Sequence, residues 1–138
     1  MTTDQMARGY LARATARADA LGLYHSRGCW PDVVREAQEA VELFLKAALR
    51  QAGVEPTRTH DVAGVLLANA ARFPDWFAEQ IPDLAVISTA LAGDRGLAFY
   101  GDERLGVPPD QLFGQAAAER ALEQVAFVRT LCARFVAA

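Results

Sequence analysis

Four side chains in this sequence carry chemistry suited to a phosphate ester: Arg95, Tyr100, Asp102 and His60. A guanidinium presents a planar fork of donors that matches two phosphate oxygens at once. A phenol can donate a hydrogen bond to phosphate or stack on a base. The ordinary pKa of imidazole lies near neutrality, which makes His60 a candidate general base or ligand contact. Asp102, followed directly by Glu103, is a candidate base or the cap of a turn after Gly101. Five residues along an ideal helix rotate a side chain by about 140°, so Arg95 and Tyr100 converge only if the helix ends or bends between them. Gly96 and Gly101 offer places for such a bend. Arg95 also follows Leu91 and Ile87 at one-turn intervals on an apolar stripe. Its charged head must pair with an acidic neighbour such as Asp94, Asp102 or Glu103, or reach solvent or a ligand.

Other polar groups read more quietly. Thr59-His60-Asp61 has the pattern of a helix start, with Thr59 as N-cap and Asp61 in the first turn. His25 lies near the end of the first helix, where a cation suits the helix dipole. Glu39, Glu42 and Lys46 fall on the polar face of their helix, and Glu42–Lys46 is an i,i+4 pair in the favoured order. They are expected to be a solvated set. The motif search is otherwise negative: there is no Gly-rich phosphate loop after a strand, no HExxH, no CxxC and no nucleophile elbow. No metal site and no cofactor is expected. Cys29 and Cys132 lack metal-type spacing. Cys132 sits in an apolar helical pattern, Cys29 in a turn, and no disulfide is expected between them.

The elements that must position these groups are helical. Residues 31–52 repeat Ala37, Val41, Phe44, Leu45, Ala48 and Ala52 at helical spacing, opposite Arg35, Glu39, Glu42, Lys46 and Arg50. This predicts an amphipathic surface helix with one buried stripe, Pro31 in its first turn and Gly53 at its C-cap. Residues 4–25 form a second helix through Ala7, Tyr10, Leu11, Ala14, Ala18 and Leu21. A shorter helix is predicted over 60–72, a short segment with Trp76 and Phe77 between Pro74 and Pro82, and a helix over 83–99 that Gly93 and Gly96 weaken. Residues 101–114 are turn-rich, with one helical turn after Pro108–Pro109. The last helix covers 115–136, with Ala118, Leu122, Val125, Val128, Leu131, Cys132 and Phe135 on its buried face. There is no alternating strand pattern and no internal repeat. The expected fold is all-α, an up-and-down bundle of four long helices plus one or two short ones, formed by residues 1–138 as a single domain.

Composition sets outer bounds. The chain has 138 residues, 52% of them hydrophobic, which suits one domain with a substantial core. No apolar run reaches the ~20 residues of a membrane span, and MTTDQMARGY lacks the apolar segment of a signal peptide. A cytoplasmic location is expected. The formal net charge is −3, so any nucleic-acid site must be a local basic patch. Lys46 is the sole lysine among 14 basic residues.

The segment REAQEAVELFLKAALRQAGVEPTRTHDVAGVLL couples Ala37, Gln38, Ala40 and Glu42 to Lys46, Ala47 and Leu49, then to Thr59 and His60 and an apolar helix. In this order and spacing it resembles the central signature of HEPN domains, the higher-eukaryote and prokaryote nucleotide-binding family. Tyr10, Leu11, Ala14 and Ala18 fit the family's first helix. DRGLAFYGDERLGVPP resembles the Arg-x4-Tyr-Gly-Asp region of a stand-alone prokaryotic branch. The resemblance covers nearly the whole chain. It implies a helical bundle that often forms homodimers, a frequent link to a small nucleotidyltransferase partner, and either nucleotide or RNA binding or metal-independent RNA cleavage. Ribonuclease members carry Arg-x4–6-His, whose Arg and His assist attack of the ribose 2′-hydroxyl on phosphate. Here Arg95 stands in the Arg position, Tyr100 stands where the His belongs, and no His follows His60. Tyrosine, with an ordinary pKa of about 10, is a poor base near neutral pH.

Three functions remain in play. The leading expectation is a HEPN-like module that binds nucleotide, RNA or a nucleotidyltransferase through Arg95, Tyr100 and His60, in a toxin–antitoxin-like or stress-related setting. The second is a metal-independent RNA endonuclease using Arg95, Tyr100 and Asp102. The third is a non-catalytic interaction scaffold that docks a partner through Trp76–Phe77 or the 101–114 loop.

Overall fold

A computed structural model describes residues 3–137, so residues 1, 2 and 138 of the expected domain lie outside the described residues. Four long helices dominate: α1 (Thr3–Ser26), α2 (Trp30–Gln51), α5 (Ile81–Tyr100) and α7 (Gln115–Ala137). Between α2 and α5 lie α3 (Ala63–Ala68), a 3-10 turn at Ala70–Arg72, and α4 (Asp75–Ala78). The short α6 (Pro109–Leu112) precedes α7. The described residues contain no strand, only an isolated bridge between Asp102 and Val107. The expected all-α bundle of four long helices is the observed fold.

The two first helices stop by the same device. After α1, Cys29 N–H donates to Tyr24 C=O and Gly28 takes φ +68°; after α2, Val54 N–H donates to Leu49 C=O and Gly53 takes φ +81°. Each glycine adopts the left-handed conformation that lets the next amide reach back five residues, closing the open carbonyls. A tight reversal then brings α2 back along α1.

α2 is the centre of the bundle. It packs against α1, α7 and α5, and its buried residues include Val33, Ala37, Val41, Phe44, Leu45 and Leu49. This corrects the reading of a surface helix with one buried stripe. Helices on three sides leave α2 little solvated surface, so Gln38 and Lys46 are buried as well. Alanines make that crowding feasible: Ala37, Ala40, Ala47 and Ala48 are fully buried and let neighbouring helices approach closely.

The predicted 60–72 helix is shorter than expected. α3 begins only at Ala63, and Thr59 makes no cap; its hydroxyl instead donates to Asp61 C=O. Asp61 does the capping, its Oδ1 accepting the Ala63 amide at 3.0 Å. The Trp76–Phe77 segment is not a free docking surface. Phe77 is fully buried, stacked on Phe73 at 4.6 Å and packed on Phe135, and Arg134 covers the Trp76 ring at 3.9 Å. Gly93 and Gly96 do not break α5, which runs unbroken to Tyr100.

At the end of α5, Gly101 has φ +73°, and a Cβ there would lie 2.3 Å from the Val107 carbonyl oxygen. That carbonyl accepts the Asp102 amide, and Asp102 Oδ1 accepts the Leu105 amide. Gly101→Ala is therefore expected to destabilise the protein by at least about 2 kcal/mol in urea unfolding. Gly93→Ala, where a Cβ meets nothing within 4 Å, is expected to stabilise it by up to about 1 kcal/mol. Equal effects at the two positions would contradict this account of the turn.

Candidate functional site

Arg95 projects from α5 toward α2, and α2 answers with a buried amide. Gln38 Oε1 accepts a hydrogen bond from Arg95 Nη1. The Gln38 Nε2 donates to Glu42 Oε1 at 3.0 Å and, at 3.5 Å, to the His60 carbonyl. Gln38 is 2% exposed, so its amide has no water to fall back on and every group must be satisfied within the protein. It thereby ties together α2, α5 and the loop that carries His60.

Glu42 lies one turn further along α2. Its Oε2 accepts from Lys46 Nζ at 2.7 Å, and its Oε1 also accepts from His60 Nδ1 at 2.8 Å. The side chains of Glu42 and Lys46 are 14% and 9% exposed, so the expected solvated set is instead a nearly buried ion pair. Burial pushes the Glu42 carboxyl pKa up, but hydrogen bonds from Lys46, Gln38 and His60 overcome that and hold it below its ordinary 4.5. Glu39 alone of the three keeps a surface role, 3.6 Å from Arg17 Nε and 3.9 Å from Arg95 Nη2. Glu36 contrasts with Glu42: burial, followed by the neighbouring Glu39 carboxylate, raises its pKa.

His60 is positioned by its sequence neighbour. Asp61 Oδ1 accepts from Ser88 Oγ and Asp61 Oδ2 from Thr89 Oγ1, both on α5, and Ser88 Oγ in turn accepts the Val62 amide. The loop is thus clamped to α5 on one side of His60 and to Gln38 on the other. The Glu42 contact calls for a proton on Nδ1, so in the neutral imidazole Nε2 is the acceptor, and the side chain is 54% exposed. Arg95 Nη1 lies 3.3 Å from the same Nδ1. Since both atoms are donors in this tautomer, the approach is tolerable because the Glu42 carboxylate lies against both groups, 3.9 Å from Arg95 Nη1.

These groups open onto one recess of about 130 Å³ lined by Arg13, Arg17, Glu39, Glu42, Leu43, His60 and Arg95. No side chain among the described residues pairs with Arg13, which is exposed. Three guanidiniums and an imidazole face two carboxylates, one of them already matched by Lys46. The recess is a local cationic site on a chain of net charge −3. Its chemistry fits an oxyanion, which guanidinium forks bind in preference to neutral groups. Among the described residues no cluster of three or more His, Cys, Asp or Glu is placed to share a metal ion.

Of the sequence candidates, Arg95 and His60 meet in this recess; Tyr100 and Asp102 do not line it. Tyr100 is 63% exposed, its ring edge-on to Phe99, because α5 continues straight past Arg95. Asp102 organises the turn after Gly101. Arg13, Arg17, Gln38, Glu42 and Asp61 were not foreseen as site residues. The signal for Arg13 and Arg17 was their i,i+4 spacing on the first helix. The signal for Gln38 was an uncharged polar residue one step from the apolar stripe.

A family model for the HEPN domain matches residues 7–135, and the chain belongs to that family. No curated protein and no solved structure gives a significant match. The match spans every element that builds the recess, from Arg13 on α1 to Arg95 on α5.

Glu42→Gln leaves the Lys46 charge without a carboxylate, and breaking a nearly buried pair is expected to cost about 2–4 kcal/mol in urea unfolding near pH 7. Lys46→Met in the same chain should return much of that loss. The pH dependence follows from the lowered Glu42 pKa: the wild-type advantage over Glu42→Gln is complete above about pH 5 and shrinks as pH falls through the folded-state value below 4.5. A pH-independent difference would contradict the pairing.

Proposed function

We propose that this HEPN-domain protein, with residues 1–138 acting as one domain, binds the phosphate of a nucleotide or RNA in the recess between α1, α2 and α5. The observation that carries the reading is the fixed Arg95 head, held by Gln38 and shared with Arg13, Arg17 and His60 around one opening. A guanidinium already oriented by buried partners loses little freedom when phosphate arrives. Arg95→Ala is expected to weaken binding of AMP or a short single-stranded RNA at least tenfold in titration calorimetry, with Arg104→Ala as an unaffected control. Unchanged affinity in Arg95→Ala would overturn the site.

A second reading, RNA cleavage without a metal, is favoured by the Glu42–His60 hydrogen bond. His60 Nε2 would take the proton of a ribose 2′-hydroxyl. The freed oxygen would attack the adjacent phosphorus and expel the 5′-oxygen, which takes a proton from water, leaving a 2′,3′-cyclic phosphate and a 5′-hydroxyl. Arg95 and Arg13 would meet the charge that develops on phosphate. In this reading His60, rather than Tyr100, stands in for the motif histidine. Wild type should then release cyclic-phosphate ends from RNA while His60→Ala releases none and still binds.

The partner expectations find support on the outer face of α5. Asp83, Val86, Ala90, Gly93, Leu97 and Tyr100 are all exposed and follow one another at steps of three and four residues. That is the seam spacing of paired helices. It reads alike from either end, so an antiparallel second copy sets Val86 against Leu97, Ala90 against Gly93, and Asp83 against the Tyr100 hydroxyl. A homodimer through this face, working in the cytoplasm beside a small nucleotidyltransferase in a toxin–antitoxin-like or stress-related system, completes the proposal. Light scattering should give twice the chain mass for wild type and the chain mass for Ala90→Glu. A dimer that survives Ala90→Glu would exclude this face, and wild type that stays monomeric would leave it to a different protein.

A further inference from the structure

Arg13 is a wall shared by two recesses. On one side lies the Arg95 opening. On the other, still on α1, lies a second recess of about 240 Å³, lined by Gln5, Met6, Gly9, Tyr10 and Arg13. Met6, Gly9, Tyr10, Arg13 and Arg17 follow one another at short helical steps, so the two recesses succeed each other along one helix. Tyr10 and Arg17 are about 10 Å apart along the axis, a span that suits a base, a ribose and a phosphate in sequence.

The lining of the second recess differs from the first. It combines a tyrosine ring, a thioether, a bare helix backbone at Gly9 and the flank of a guanidinium, and it holds no carboxylate. Gly9 is the informative residue. In mid-helix it costs about 1 kcal/mol relative to alanine, yet no neighbour requires it: a Cβ there would find nothing within 4 Å. What Gly9 does is leave the recess open. Gly22, on the same helix and equally uncrowded, lines neither recess.

A flat ring with π faces suits this lining. Aromatic rings, guanidinium planes and polarizable sulfur all pack well on nucleobases. We propose that the second recess is a base-binding subsite: the ligand is a nucleotide unit whose phosphate lies on Arg95, Arg17 and His60, whose base lies against Tyr10 and Met6, and which Arg13 touches at both ends. This rests on the phosphate-binding reading above and adds the substrate's second half. A free nucleotide and one unit of an RNA strand share this chemistry.

The test is titration calorimetry of wild type, Gly9→Leu, Tyr10→Leu and Gly22→Leu with three probes: ribose 5-phosphate, AMP and a short oligoadenylate. Leucine improves the helix at both glycine positions, so Gly9→Leu fills the subsite without endangering the fold. Wild type is expected to bind AMP about tenfold tighter than ribose 5-phosphate, in line with stacking of one base. Gly9→Leu should remove that advantage while leaving ribose 5-phosphate affinity unchanged; Tyr10→Leu should reduce the advantage and Gly22→Leu should keep it. An oligoadenylate that binds tighter than AMP and loses the gain in Gly9→Leu points to RNA, and one that binds no tighter points to the free nucleotide. Equal binding of AMP and ribose 5-phosphate by wild type, or full AMP affinity in Gly9→Leu, would overturn the subsite while leaving the phosphate site standing. If neither sugar phosphate nor AMP binds, the phosphate reading fails and the subsite falls with it.

Discussion

A carboxylate on the central helix of a bundle sets the terms for everything around it. Glu42 sits on α2, flanked by α1 and α5, with most of its hydration removed. An isolated charge in that place would cost several kcal/mol. Lys46 supplies the counter-charge one turn away, Gln38 supplies an amide donor, and His60 supplies a ring N–H from across the loop. Each of these partners is then constrained in turn. Gln38, with its amide nitrogen committed to Glu42, has its oxygen left for Arg95. His60, with Nδ1 committed, has Nε2 left to face a ligand.

The consequence is an ordering of functional groups by structural necessity. Arg95 and His60 come from positions 35 residues apart and from different elements, and neither is held by direct packing on the other. Both are oriented by satisfied polar groups on α2. Asp61 does the remaining work by fastening the His60 loop to Ser88 and Thr89 of α5. Its carboxyl pKa is pushed up by burial and pulled down further by the Ala63, Thr89 and Ser88 hydrogen bonds. The scaffold of buried alanines and leucines explains why α2 can lie so close to α1 and α5 that such short contacts are available.

Much of this architecture was legible in the sequence, because helical periodicity and glycine caps act locally. Gly53 and Pro31 mark the ends of α2 as expected, and α7 matches its predicted span within a residue at each end. The family signature from Ala37 to His60 also pointed to the segment that builds the site. What stayed hidden depends on how many helices surround one helix. An i,i+4 Glu–Lys pair on a polar face has the same pattern whether that face meets water or another helix, so Glu42 and Lys46 were read as solvated. Arg95 and Tyr100 could meet only if the helix ended or bent between them, and Gly96 does neither: α5 runs unbroken to Tyr100. The partner that reaches Arg95 is Gln38 of α2, with His60 beside it, and no local pattern shows that a loop after α2 folds back onto α5.

If, as proposed, Arg95, His60, Arg13 and Arg17 form one anion-binding site preset by Gln38 and Glu42, the arginine Nε–H and histidine ring signals in ¹⁵N NMR will report it during titration with inorganic phosphate. Arg13, Arg17, Arg95 and His60 should shift together along one saturable curve, while Arg104 and Arg120, outside the recess, hardly move. Shifts of equal size at Arg104 and Arg120, or no saturation at Arg95, would contradict it.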